Sequence, residues 1–454
     1  MTTYMDAASY GFSPHASGRA NAEALQRALD QGGTITVSQP GTYKLARTVY
    51  IASHTTLQFG NGVFVQKSDE EGAFSHVLLN KGALTKTYDE HIAVENLHIV
   101  VNGVDARTFH DVFGLHGQLA FFYVKDLRVT GFRCMDLGKL QYGIHICTFE
   151  DIFIDDVIIK GEKDGVHLGR GKRFYIGNGT FETYDDAVAL NAHDYDVGNP
   201  ELGWIEDGVV ENCHDTARST ANNDCVGYFC RILAGAWKDW EPGIKVQKSD
   251  TVVSNGRLYR VKADADSKQY ESFTRPEHAQ GTVVQDGIQW VMVQDTVTYT
   301  AGVRNVTFKN IFLRKARIGF SIHFDNDRFS RSYYPGAPVP SQEQLVFDNI
   351  RVLHERETPF LSANTPVDVI TVVSSSFQNN SIMFHGNQAM ADYLPTRINL
   401  IGCIFNHKGS LDLVANSVPD KRIHIRGWAN TKMDDSSVVC LVPGPGTIDA
   451  QLDI

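Results

Sequence analysis

Short apolar runs recur along the chain from about residue 91, each interrupted by a polar turn: IAVENLHIV, FYVKDLRVT, TFEDIFIDDVII, KRFYIGNGTF, IEDGVVENC, VRNVTFKNIFL, LVFDNIRVL, VITVVSSSF and INLIGCIF. The turns often carry Asn, Asp or Gly, residues that tolerate tight backbone conformations. No 3.6-residue recurrence runs through the units, so each reads as two or three short strands rather than as a helix. Matching Val129, Ile154 and Ile176 gives steps of 25 and 22 residues, the period of one supersecondary unit stacked on the next. Repetition at that interval predicts an all-β solenoid. Each strand pairs in parallel with the coil above and below, about 4.8 Å away.

The first element differs. Asn21 is placed to cap a short helix, Ala22, Leu25 and Leu29 fall on one face, and Gly32 and Gly33 end it. Strand-like alternation follows at once in GGTITVSQPGTYKLARTVYIASHTTLQF. A helix at this position caps a solenoid whose first coil would otherwise expose an apolar face and unpaired backbone. A second departure covers residues 237–300, where NGRLYRV and VQDGIQWVMV read as hairpins with NG and DG turns. The predicted organisation is a solenoid over 1–236, a small inserted β module over 237–300, and the solenoid again over 301–454. Trp237, Trp240, Tyr259 and Trp290 are expected to form the module's own core, the alternative being a sugar-stacking platform.

Composition narrows the function. Lys plus Arg number 42 against 53 Asp plus Glu, and the net charge of −11 argues against broad attraction to nucleic acid or anionic membrane. No apolar stretch approaches the roughly 18 residues of a membrane span. The start, MTTYMDAASYGF, lacks the basic and apolar regions of a secretion signal. An intracellular protein, one whose leader has been removed, or a phage virion component is expected. The 7 cysteines include no CxxC pair, which disfavours a disulfide framework or a thiolate zinc site and suggests inward-facing core residues.

Two phrases within the repeats carry chemistry: KDGVHLG at 163–169 and YDDAVALNAHD at 184–194. Asp164 and Asp185 are 21 residues apart, almost one coil, so stacking gathers Asp164, Asp185 and Asp186 into one patch. Crowded carboxylates raise at least one pKa, which keeps one acid protonated while another stays ionised. Glycoside hydrolysis needs that pairing: one acid for the leaving oxygen and one base for water. A lone Asp in a turn would merely cap backbone amides. Three at this spacing, each motif followed by inward apolar residues, point to a site.

These segments carry a resemblance. YGFSPHASGRANAEALQRALDQGGTITVSQPGTYKL resembles the opening of pectin-active β-helix enzymes. KDGVHL and YDDAVAL are similar to the NTDG and GDDC motifs of polygalacturonase-like glycoside hydrolases of family 28, including their separation. The resemblance implies a right-handed parallel β-helix and an inverting glycosidase without metal or cofactor. It also implies Asp185 as general acid, with Asp164 and Asp186 holding the attacking water. The chain departs from the family at two places. Tyr228, in VGYFCRILAG, stands for the family's Gly-His-Gly histidine, while Ser321 and His323, in GFSIHFDND, stand for its Arg and Lys. A neutral Ser cannot make a bidentate charged contact with a carboxylate, so a neutral sugar, or a uronic acid held differently, fits this chain.

Arg231 and Arg328 are candidates to refill the pocket, and His193, near the end of YDDAVALNAHD, is a further candidate to touch the site. The expected partner is a carbohydrate, with no nucleic acid and no membrane. The loops at 192–204, 237–300 and 325–342 would close one end of a groove. Two alternatives stand beside hydrolysis. A polysaccharide lyase would require an Arg or Lys base and commonly calcium. A noncatalytic tailspike-like glycan binder would be expected to form a trimer, and the insert resembles the DGxxW modules of phage structural proteins and carbohydrate-active enzymes.

Overall fold

The computed structural model describes residues 4–217, 227–262, 268–323, 331–378, 381–387, 390–406, 410–432 and 438–453. Its main sheet is a continuous parallel stack, in which each coil pairs with the next. The chain is a right-handed parallel β-helix. Val129, Ile154 and Ile176 are Cα partners on successive coils, as their spacing predicts. The same column continues through Val210, Phe308, Phe347, Val372 and Leu400, every one of them at 0% exposure. One core therefore runs along the axis. Its aromatic rungs stack, Phe308 on Phe347 with ring centroids 5.3 Å apart.

The polar turns have a specific task. Asp156, Asn178, Asn212, Asn310 and Asn349 occupy one corner on successive coils, with φ between 51° and 55°. Asn and Asp are the side chains that enter this left-handed region most readily. The column is also bonded along the axis: Asn310 Nδ2 donates to Asn212 Oδ1 at 2.9 Å, and Asn349 Nδ2 donates to Asn310 Oδ1 at 2.7 Å.

The N-terminal helix spans Gly18–Leu29, and Ser17 caps it by accepting the Ala20 amide at 3.2 Å. Asn21 is not the cap. It is fully buried inside the first turn, where Oδ1 accepts the Ser13 amide at 2.9 Å. Ala22, Leu25 and Leu29 line the buried face as expected. No helix among the described residues is long and apolar enough to cross a membrane. Cys134, Cys147, Cys213, Cys230 and Cys403 are free and buried, Cys440 is half-buried, and Cys225 lies outside the described residues.

Within 237–300 the pairing turns antiparallel. Strands Thr251–Ser254, Arg257–Val261, Ile288–Gln294 and Thr282–Gln285 form one sheet, and Ile244–Val246 pairs with Tyr270–Ser272. Trp240, Tyr259 and Trp290 share a separate apolar cluster there, whereas Trp237 packs into the solenoid core. The sheets lean on the 192–204 loop: Ser249 Oγ donates to Asp196 Oδ1 at 3.0 Å, and Arg260 Nη1 donates to the Asn199 carbonyl at 2.8 Å.

Candidate active site

Strands Val166–Leu168, Val188–Asn191, Cys230–Leu233 and Phe320–His323 stack in register and form one face of the solenoid. His167, Ala189, Arg231 and Ser321 are successive partners along it. Val166 pairs with Val188, a step of 22 residues, and the Gly165 amide donates to the Asp186 carbonyl at 2.9 Å. Carried back down the chain, that register sets Asp164 beneath Asp186 and Lys163 beneath Asp185. The sequence spacing pairs Asp164 with Asp185 instead, one residue off.

The three carboxylates nevertheless meet. One oxygen from each of Asp164, Asp185 and Asp186 lies within 4.8 Å of the other two. Close backbone approach makes this possible, because a Cβ on Gly227 would come within 2.3 Å of the Asp185 carbonyl carbon. Asp164 and Asp186 are 4% and 1% exposed, while Asp185 is only partly covered.

Burial, and then the Asp185 charge, push the Asp164 carboxyl up to about 7, with Lys163 and Arg231 acting in the opposite direction. Asp186 is driven well above the carboxylate range by burial and by its two acidic neighbours, although it accepts the Tyr228 amide at 2.8 Å. Lys163 Nζ forms an ion pair with Asp185 Oδ2. Burial opposes the Lys163 charge, yet Asp164 and Asp185 more than offset this and hold the ammonium above the usual lysine range. His167 Nδ1 lies 2.9 Å from Asp164 Oδ2, and burial, then Arg231 and Lys163, lower its pKa to about 3. The imidazole is therefore neutral and, with Nδ1 carrying the hydrogen, donates to Asp164.

A carboxylate trio this tight has the spacing that could hold a divalent cation. Here Lys163 and Arg231 already supply two positive charges beside it.

Among the other expected ligand contacts, Tyr228, Arg231, Ser321 and His323 gather on this face. The Tyr228 ring meets the His323 ring edge-on at 5.8 Å, and Ser321 Oγ is 2.7 Å from His323 Nδ1. Burial and the Arg231 charge hold His323 neutral. His193 is 1% exposed and packs on Trp237 with ring centroids 5.8 Å apart. Arg328 lies outside the described residues; its neighbour Arg331 pairs with Asp250 and ties that loop to the insert.

Sequence reasoning passed over Lys163, which opens the first of the two phrases, and over Lys315 and Arg317, which sit in a phrase that looks like an ordinary solvated turn. Arg317 Nη1 donates to the Asp185 carbonyl at 2.7 Å, and its Nε and Nη2 grip Asp215 at 3.0 and 2.7 Å, all within the interior. Lys315 donates to the Thr183 carbonyl. Asp194 places an oxygen 3.7 Å from His167 Nε2. The sequence signal available for Lys163 is the 22-residue step that sets it beneath Asp185.

No family model and no curated protein matches the sequence. Solved structures do match. A family 28 exopolygalacturonase from Yersinia enterocolitica aligns over 100% of this chain and 79% of its own, at 11% identity and TM-score 0.51. A hyperthermoactive exopolygalacturonase from Thermotoga maritima aligns over 96% and 93%, at 12% identity and TM-score 0.54. A tailspike protein of Escherichia coli bacteriophage HK620 aligns over 96% and 67%, at 12% identity and TM-score 0.52. The property shared at such identities is the fold: this chain is a right-handed parallel β-helix.

Proposed function

We propose that the chain is a glycoside hydrolase that cleaves a polysaccharide or oligosaccharide at the Asp164, Asp185, Asp186 cluster, by an inverting and metal-independent acid/base route. The observation that carries this reading is the meeting of three carboxylates within 4.8 Å, one of them partly exposed and two buried and hard to ionise. Such a cluster holds a proton and a negative charge together at neutral pH, as glycosidic cleavage demands.

In the order the family resemblance implies, Asp185 protonates the departing oxygen and Asp164 with Asp186 orients the attacking water. The more open position of Asp185 suits contact with a substrate oxygen, and the deeper pair suits a single trapped water. The cluster is tighter than the roughly 6.5–9.5 Å usual between acid and base in inverting enzymes. The inverting assignment therefore draws on the family resemblance. Tyr228, Arg231, Ser321 and His323 would line the sugar subsite. Arg231 restores, one coil away, a guanidinium that Ser321 does not provide.

Elimination is the rival chemistry, and Lys163 and Arg231 are the cations beside the site. Lys163 is a poor base, since its acidic partners hold it charged. Reducing-sugar release from pectic, host and algal glycans tests the proposal, using wild type, Asp185→Asn, Asp164→Asn and Asp186→Asn with and without EDTA. Release by wild type in EDTA and its loss in each variant are expected. Full turnover by Asp185→Asn would remove the acid.

A further inference from the structure

The corner that follows strand Val166–Leu168 holds a cavity of about 230 Å³, room enough for one hexose ring. Asp164 precedes that strand and Arg170 follows it, so the carboxylate cluster and the cavity stand at opposite ends of one rung. Four separate stretches meet at the cavity: Tyr88 ahead of strand Asp89–Glu95, the corner at 170–172, Trp204 at the end of the 192–204 loop, and residues 296–298 where the insert returns to the solenoid. Two of the four belong to the loop and the insert. The hollow is therefore not a feature that the repeat itself generates.

Its polar groups balance. Arg170 and Lys172 line it together with Glu150 and Glu206, two positive charges against two negative. Each is paired: Lys172 with Glu150 at 3.7 Å, Arg170 with fully buried Glu201 at 3.5 Å, and Glu206 with Arg304 at 2.8 Å. Such a lining offers an ionic ligand no unmet counter-charge, whereas its N–H donors and carboxylate lone pairs suit hydroxyl groups. The apolar part is aromatic, with Tyr88 37% exposed and Trp204 partly so. The Arg304 guanidinium lies 4.9 Å from the centre of the Trp204 ring while it bonds Glu206 through Nε and Nη2 at 3.1 and 2.8 Å, and so it holds the indole in place. The Lys125 ammonium, 4.3 Å from the centre of the Tyr88 ring, does the same there. Gly171 and Gly203 add bare backbone to the lining.

We infer that this cavity is a second, noncatalytic carbohydrate site, which takes one neutral hexose unit of a glycan against Tyr88 and Trp204. A pyranose carries an apolar C–H face and a rim of hydroxyls, and aromatic rings braced by cations among paired charges match both parts. Rings already held in place lose little freedom when the sugar arrives. The inference stands apart from the hydrolase reading, since none of Asp164, Asp185 and Asp186 lines this cavity. Its consequence for a polymer is a hold on the flank of the solenoid, away from the acids.

The test uses the full chain labelled with fluorotryptophan and followed by fluorine NMR. The chain has 5 tryptophans, and the resonance missing from Trp204→Phe is that of Trp204. The probes are cellohexaose, mannohexaose and maltohexaose, with trigalacturonate as the charged comparison. A saturable shift of the Trp204 resonance by at least one of the neutral hexasaccharides is expected, in wild type and in Asp185→Asn alike. Tyr88→Ala should weaken that binding about tenfold while Tm and the ligand-free spectrum stay close to wild type. No shift with any neutral hexasaccharide, a shift with trigalacturonate alone, or binding unchanged in Tyr88→Ala would overturn the inference. Turnover by Asp185→Asn would instead defeat the hydrolase reading and leave this binding untouched, so the two failures are distinct.

Discussion

His167 Nδ1 lies 2.9 Å from Asp164 Oδ2, and both side chains are buried on the same coil. Asp194 stands 3.7 Å from the other ring nitrogen, on a loop that the inserted sheets brace. A contact made far along the chain thus reaches the proposed water-holding acid through one imidazole.

That relationship gives a first expectation. Replacing His167 with Gln removes the oriented donor, and a hydrogen bond to a charged group is worth roughly 1.5–3 kcal/mol. Steady-state kinetics should show kcat reduced about 10- to 100-fold with KM little changed. A change confined to KM would place His167 in binding.

Stability should depend on pH through the acidic pair. Asp164 and Asp186 ionise less readily folded than unfolded, so their contribution is fully present below the unfolded carboxyl pKa of about 4 and is lost as pH rises, for Asp164 through about 7. Asp186→Asn removes one of the competing acids. It should stabilise the protein at pH 8 by on the order of 1 kcal/mol, with the advantage vanishing near pH 4. The buried histidines His76, His145, His167 and His193 lose stability in the opposite direction, as pH falls. They are present in both proteins, so the difference in unfolding free energy isolates the carboxyls. A variant less stable at pH 8 would contradict this account.

Arg317 joins the site to the core. Its guanidinium is 3% exposed and bidentate with Asp215, whose side chain is fully buried. Arg317→Met strands that carboxylate, a loss of about 3–5 kcal/mol. Urea unfolding should show the midpoint falling accordingly, together with loss of glycan cleavage as the Asp185 backbone loosens. A midpoint close to wild type would mean the pair is dispensable.

Gly227 offers a sharper probe, because its missing side chain is what lets the following coil pass close over Asp185. An added methyl would collide with the Asp185 backbone at 2.3 Å. Gly227→Ala should abolish cleavage while far-UV circular dichroism keeps the β-helix signature. Activity within twofold of wild type would show that the backbone yields there easily.

The solenoid was legible because its coils repeat: Val129, Ile154 and Ile176 announce the register, and the Asn corners punctuate it. The acids were legible for the same reason. Lys163 and Arg317 were not, since a lysine or arginine in a turn carries no mark of burial until the next coil closes over it. Asn21 misled because a good capping residue stood three positions inside a helix already capped by Ser17. Trp237 misled because its place in the sequence beside Trp240 does not determine which of two cores it enters. The 22-residue step of Val166 and Val188 differs by one from the spacing of Asp164 and Asp185, and that single residue decides which acid meets Lys163.

The measurement closest to the central claim is proton NMR of the first products formed from the glycan the protein attacks. The account predicts a saturated, newly formed reducing end that appears first as the anomer opposite to the cleaved linkage. An unsaturated sugar at the new non-reducing end, or a first-formed product of retained configuration, would contradict it.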